Sequence, residues 1–423
     1  MIFRSFPRWL LGFLPGFKPR FGNGIRLALL LAATLSAASC KTYSSRQVSD
    51  PRPAAARLQA GAGIQEEVDR LAKPLIQSGE VYGMTVGVLT PDGVTRIYGY
   101  GKTGRIGDDQ PPRADTVFQV GSISKLFVAS VLALLVEEGQ LHYEDTVRSI
   151  LPPEVPLDKD IGELTLYDLV THTAGLPRQP SGLTQLRYFI AYLFTGHNLY
   201  GYIDKPYLYE YLRHHHLKPR GQRPYAYSNI GAGLLAHLIE VKTGRTIPEL
   251  VREKICGPLN LRDTVYTLDA GQQQRLAVGH AGDQPKFIRR NSPITAWDMG
   301  EIMHPVGGLY STTDDLLIFA RANLGLLHHP LEPLLASTHQ VQLTTPAEDV
   351  ALGWLINRFD GGRSVVMYKH GMVSGYNAYV GMEPNVRVAV VVLCNTFNWN
   401  DKIGHNLVLR LSGAFASRKT DGE

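Results

Sequence analysis

Cysteine is scarce in this sequence: three among 423 residues. Cys40, Cys256 and Cys394 are widely spaced and no Cys-x-x-Cys pair occurs, which excludes a disulfide framework. Charge is also sparse, at 19% Asp, Glu, Lys and Arg. The net charge of +5 comes from one end: Arg4, Arg8, Lys18, Arg20 and Arg26 have no acidic counterpart within positions 1–40, and beyond them the two signs balance. A neutral body without a basic stripe has no electrostatic footprint for nucleic acid. No apolar run reaches the ~20 residues that cross a bilayer. Gly-x-Ser-x-Gly elbows, phosphate loops and internal repeats are missing too. What remains is the stock of a globular chain, 44% hydrophobic and 9% aromatic. That is enough to fill a core and to exclude wholesale disorder.

The N-terminus has its own character. After the basic stretch comes Leu27 to Ser39, about 13 apolar and small residues, which reads as an export signal or, uncleaved, as an anchor. Ala37-Ala38-Ser39-Cys40 resembles the lipobox of bacterial lipoproteins. The resemblance implies a diacylated Cys40 as the mature N-terminus, and thus an exported, periplasmic protein held on a membrane face. Residues 1–40 are accordingly expected to be a signal peptide. The polar, Ala/Pro/Arg-rich residues 41–61 are expected to form a tether. Cys256 and Cys394 sit in apolar stretches as buried free thiols.

Further along, Gly63 to Ser78 has the spacing of an amphipathic helix, with Ile64, Val68, Leu71, Leu75 and Ile76 on one face. Met84–Leu89 and Val94–Gly99 read as strands joined by the turn Thr90-Pro91-Asp92-Gly93. Ser122–Glu138 reads as a helix, apolar on all sides through Leu126–Val136 and therefore buried. The middle is helical and loop-rich, clearest at Leu164–Thr171 and Ile230–Lys242. A further helix starts near Ser311 or Thr312, with Asp314 and Asp315 where the dipole favours acids. Strand patterns return at Leu352–Asn357, Val365–Tyr368, Tyr376–Met382 and Val386–Cys394, before a last helix over Lys402–Leu411. Strands at both ends around a helical middle predict an α/β (α+β) fold: an antiparallel sheet flanked by N- and C-terminal helices, with an all-helical insertion. The expected domain covers 62–415, its α/β lobe from about 62–140 and 305–415 and its helical lobe from about 141–304.

Chemistry concentrates at three places. In Ser122-Ile123-Ser124-Lys125 the serine precedes the lysine by three residues, so both share a helix face. A serine hydroxyl becomes a nucleophile when a base takes its proton, and a lysine serves as that base once burial or another cation suppresses its charge. The alternative is a capping serine with an ordinary helical lysine. Tyr227-Ser228-Asn229 precedes the next long helix. Its phenol can relay protons and its amide can hold a carbonyl, or the pair can simply pack and cap. Lys-Thr-Gly occurs at Lys102-Thr103-Gly104, in a Gly-rich loop, and at Lys242-Thr243-Gly244, where Gly244 caps a helix. Lys369-His370-Gly371 fits a cleft strand better, because Gly371 admits close backbone approach and the N–H of Met372 can pair with that of Ser122 as an oxyanion hole.

With these elements in this order, the chain resembles the serine β-lactamase and penicillin-binding protein superfamily, in particular its class C β-lactamase-like branch. D-alanyl-D-alanine carboxypeptidases, endopeptidases and esterases belong to that branch. Leu164 to Pro177, Pro258-Leu259-Asn260-Leu261-Arg262-Asp263-Thr264 and Gly307-Gly308-Leu309-Tyr310-Ser311-Thr312 also resemble family landmarks, so the likeness spans about 62–412. It implies Ser122 as acylated nucleophile, Lys125 as its activator and Tyr227 as proton relay or deacylation base. It further implies Asn229 and Gln179 as substrate-amide partners and Lys369 as the site's cation. His370 replaces the family's threonine, whose hydroxyl helps bind a substrate carboxylate; an imidazole donates with a different reach.

The expected function is a penicillin-binding D-alanyl-D-alanine carboxypeptidase/endopeptidase acting on peptidoglycan stem peptides through an acyl-enzyme. A β-lactamase, an esterase and a non-turnover penicillin sensor are the alternatives. No cofactor is expected. His214-His215-His216 lacks the carboxylate or cysteine partners of a metal site, and no metal is expected. The oligomeric state is left open.

Overall fold

The computed structural model describes residues 63–398 and 402–420. Cys40, the export segment and the 41–61 stretch lie outside them. Helix α1 (Ile64–Gln77) opens the described chain and turns Val68 and Ala72 inward. Strands β1 (Gly83–Leu89) and β2 (Thr95–Gly101) follow. In the turn between them the Thr90 hydroxyl donates to Asp92 at 2.6 Å and Gly93 takes φ +79°. Helices α2 (Ser124–Glu137), α3 (Leu183–Thr195), α4 (Asn229–Thr243) and α5 (Thr313–Asn323) dominate the middle. The main sheet resumes with β3 (Leu343–Thr344), β4 (Asp349–Val350), β5 (Leu355–Phe359), β6 (Ser364–Val373), β7 (Tyr376–Glu383) and β8 (Val388–Cys394), and helix α6 (Lys402–Thr420) closes the chain.

These eight strands form one antiparallel sheet in the order β2-β1-β8-β7-β6-β5-β4-β3. Its two faces are read directly from alternation along the strands. On β8, Val388, Val390, Val392 and Cys394 pack with Val68, Ala72, Leu407 and Val408 of α1 and α6. Ala389, Val391 and Leu393 face the other way, into the larger core with α2, α4 and α5. The two terminal helices are also tied by a buried ion pair between Glu67 and Arg410. The expected antiparallel sheet flanked by helices is therefore present.

Some boundaries moved for local reasons. The strand expected from Leu352 begins at Leu355, because Gly353 takes φ +79° and turns the chain just before it. The expected all-helical middle also holds a short ladder between Gly279–His280 and Pro293–Ile294. Helix α6 continues well past Leu411.

Candidate active site

Ser122 does not open an α-helix as its position suggests. Gly121 takes φ +54°, and Gly121–Ile123 form a 3₁₀ turn from which α2 continues at Ser124. Residues i and i+3 eclipse in such a turn, so Lys125 still stands over Ser122. Its Nζ donates to Ser122 Oγ at 3.0 Å and to the Val306 carbonyl at 3.0 Å. Ser124 braces the turn, donating to Gly121 O at 2.6 Å and accepting from Leu309 N–H at 3.3 Å.

The strand β6 presses against this turn. β5 pairs with it only as far as Tyr368, which leaves the edge from Lys369 onward to meet Ser122. A Cβ on Gly371 would overlap Val120 O and stand 2.9 Å from Ser122 N; one on Gly121 would stand 3.0 Å from Met372 N. The absence of side chains at both glycines lets two backbones touch. That contact brings the backbone nitrogens of Ser122 and Met372 into the same neighbourhood.

Tyr227 arrives from the start of α4. Ser228 caps that helix, accepting from Gly231 N–H at 2.9 Å and donating to Pro177 O at 2.7 Å. Tyr227 Oη donates to Ser122 Oγ at 2.7 Å. Asn229 does not cap the helix: its Nδ2 donates to Tyr200 Oη at 3.1 Å, and Tyr200 donates in turn to Gln179 Oε1 at 3.4 Å. Asn229 and Gln179 are thus brought together through a tyrosine the sequence did not single out.

The site is rich in cations. Lys125 Nζ, Lys369 Nζ and the Arg178 guanidinium lie 5.3, 5.3 and 5.2 Å from the centre of the Tyr227 ring, within cation–π range. Burial, aided by Arg178, brings the Lys125 ammonium down to about 7. Burial also lowers Lys369, with Lys125 adding to the effect while Tyr227 and Glu348 oppose it. At about 7 the Lys125 amine is partly neutral near pH 7, as a general base must be.

His172 is a second unforeseen member. It adopts φ +58°, stands 4.6 Å from the Tyr227 ring, and its Nδ1 accepts from Ser228 N–H at 3.3 Å. Burial and then Lys369, Lys125 and Arg178 hold it well below the usual histidine range, so its imidazole is neutral. Its signal lay in the landmark stretch Thr171-His172-Thr173-Ala174-Gly175-Leu176-Pro177. Arg178 and Gln179 follow directly.

His370 is the candidate that the structure does not bring to this group. Strand alternation puts it on the face of Tyr368, 6.2 Å ring to ring, opposite Lys369; on that side burial, with His370 nearby as a smaller cause, holds His405 of α6 down to about 3. The literal Lys-Thr-Gly strings lie elsewhere. Lys102 binds Asp109 at 2.6 Å, and Lys242 ends α4, where Gly244 takes φ +66°. His214 and His216 pair with Glu210 and Asp158 at 2.9 and 2.8 Å. Cys256 and Cys394 are buried free thiols.

A serine bonded to a depressed lysine and a tyrosine, beside a glycine-bearing strand, defines a serine acyl hydrolase class of site. The chain belongs to the beta-lactamase family, whose model matches residues 68–414, and it is a serine hydrolase of that type. It is 28% identical to the D-alanyl-D-alanine-carboxypeptidase/endopeptidase AmpH of Escherichia coli K12 over 412 residues, covering 92% of this chain and 98% of that one. It is 26% identical to a beta-lactamase of Pseudomonas fluorescens, covering 78% and 93%. In fold it is similar to a class C beta-lactamase from Rhodobacter sphaeroides, with a TM-score of 0.68 and 24% identity over 84% of this chain and 99% of that one.

Proposed function

We propose that this protein is a D-alanyl-D-alanine carboxypeptidase/endopeptidase that cleaves peptidoglycan stem peptides through an acyl-enzyme on Ser122. The observation that carries the reading is the pair of hydrogen bonds converging on Ser122 Oγ from Lys125 and Tyr227. Neutral Lys125 takes the Ser122 proton as Oγ bonds to the carbonyl carbon before a terminal D-Ala. The oxyanion is held by the N–H groups of Ser122 and Met372. Collapse breaks the peptide C–N bond, and the departing amine takes a proton relayed by Tyr227. Water then attacks the ester, Tyr227 receives its proton, and Ser122 leaves with its hydroxyl restored. Asn229 and Gln179 hold the substrate amide, and Lys369 and Arg178 keep the pocket positive for a carboxylate-bearing substrate. The near-complete mutual coverage with a carboxypeptidase/endopeptidase supports the choice of substrate.

Turnover of β-lactams is the second reading, favoured by similarity to proteins named beta-lactamase. Esterase activity is the third, because His370, standing where relatives carry threonine, turns to the face of Tyr368. We further propose export and lipid anchoring at Cys40. Membrane fractionation of Cys40→Ser checks this, with release into the soluble fraction expected.

Fluorescent penicillin followed by intact mass tests the main reading. A lasting adduct that requires Ser122, together with release of D-Ala from a stem pentapeptide, is expected. Rapid drug turnover without D-Ala release means a β-lactamase. No adduct, with hydrolysis of simple esters, means an esterase. An adduct on Ser122→Ala overturns the nucleophile.

A further inference from the structure

Helix α3 (Leu183–Thr195) breaks the rule for surface helices, which present a polar face to solvent. Gln185 and Tyr192 are buried on its inner side. Directly opposite, at helical spacing, Leu183, Ile190 and Phe194 are 62%, 43% and 60% exposed. Phe287, from the loop after the short ladder strand Gly279–His280, extends this stripe. It is 61% exposed, its ring stacks on Phe194 at 4.6 Å, and its N–H donates to Leu193 O at 3.0 Å. The helix contains no Asp or Glu, and Arg187 is exposed among its apolar residues. Lys286, Arg289 and Arg290 flank Phe287 on the surface. Asp283, the one acid of that loop, is held by Arg290 at 2.7 Å, so across the two segments four cations, Arg187, Lys286, Arg289 and Arg290, stand against one acid.

Exposed aliphatic and aromatic side chains in a line, bordered by cations and empty of acids, are the chemistry of a helix lying in the headgroup layer of an anionic bilayer. A second copy of this chain would bring the same cations against themselves. We propose that the α3 face is a membrane-docking surface, with Leu183, Ile190, Phe194 and Phe287 entering the interface and Arg187, Lys286 and Arg289 lying against lipid phosphates. The buried side of the same helix leads through Tyr192 and Trp297 to Tyr200, the partner of Asn229. Docking therefore fixes how the candidate site is presented to material at the membrane. The inference gains from the lipid-anchor reading, since a tethered chain meets its membrane at high effective concentration, but it does not need it.

The test uses residues 63–423, which hold both described cores and the whole main sheet and have no Cys40 to acylate. It is sedimented with vesicles of equal parts phosphatidylglycerol and phosphatidylcholine, and with phosphatidylcholine alone. Binding to the anionic vesicles is expected. Phe194→Ser with Phe287→Ser should weaken it about tenfold or more. Lys286→Gln with Arg289→Gln, or about 0.5 M salt, should remove the preference for phosphatidylglycerol. Thermal melts of both double variants show that they fold, and unchanged penicillin labelling shows that the site is intact. No binding to the anionic vesicles overturns the proposal. So does a dimer in sedimentation velocity that Phe194→Ser with Phe287→Ser dissolves, or binding to isolated peptidoglycan without binding to vesicles. The vesicle readout does not involve Ser122, so its failure leaves the acyl-enzyme reading in place.

Discussion

The two faces of β6 handle buried polar groups in opposite ways. On the front, Lys369 and Gly371 join Lys125, Arg178 and Tyr227, and cations crowd one another. On the back, Tyr368 donates to Glu348 at 2.6 Å, and His405 bonds Asn357 at 3.1 Å while its ring packs edge-on against Tyr368. The back sets these polar groups against complementary ones, as buried networks do when they serve stability. The front buries like charges together, which costs stability; burial first and the neighbouring cations second keep two amines below their ordinary values. Alternating residues of one strand serve both purposes.

The largest effect that would break this comparison is at its centre. Lys125→Ala should lower the rate of penicillin acylation by about a thousandfold or more while the melting temperature holds or rises, because a buried cation is removed. Wild-type labelling in this variant would mean that the front is structural as well. Gly371→Ala comes next: its methyl group overlaps Val120 O, and displacing the strand from the Ser122 turn should cost about a hundredfold in acylation. Tyr227→Phe keeps the ring among its cations and loses only the hydroxyl. Stopped-time mass spectrometry should show the acyl-enzyme persisting about a hundredfold longer, with acylation less affected.

The pH profile sharpens the contrast. Lys125 acts as a base only when neutral, so acylation should rise with pH through about 7. Arg178 lowers that value, so Arg178→Gln should move the rising limb to higher pH. An unmoved limb would assign the titration to another group. The smallest effects belong to the back. Tyr368→Phe removes the bond to Glu348 and should cost about 1–2 kcal/mol in urea unfolding, with acylation within about threefold of wild type. Lys102→Ala and Lys242→Ala should change neither property by more than about twofold.

Much of this architecture was legible because it follows from period. The continuous apolar run of β8 and the all-apolar run of α2 mark a strand buried on both faces and a buried helix. Ser122 and Lys125 were legible because three residues of separation bring them together in either an α or a 3₁₀ turn. Tyr200, Arg178 and His172 were not, since they meet Asn229 and Tyr227 through loops whose paths no local pattern encodes. His370, expected to bind substrate in place of a threonine, lies on the face opposite Lys369 because successive residues of a strand point to opposite sides. The outward face of α3 was not legible either, because aromatic residues at helical spacing do not say which side of a helix is covered.

The order of the sheet also governs when it can exist. Met84 pairs with Cys394 and Val86 with Val392, partners about three hundred residues apart, so closing them carries a heavy loop-entropy cost. β8 fills the gap between β1 and β7, and the Arg410 that clasps Glu67 comes later still. As the chain emerges from the ribosome, its first two strands wait beside an open edge until β8 is made. A protein built this way has no native core for most of its synthesis. Such a chain is suited to being threaded through a membrane before it folds, and a stop codon between β8 and Arg410 would cost the whole sheet its closing helix rather than merely trim an end.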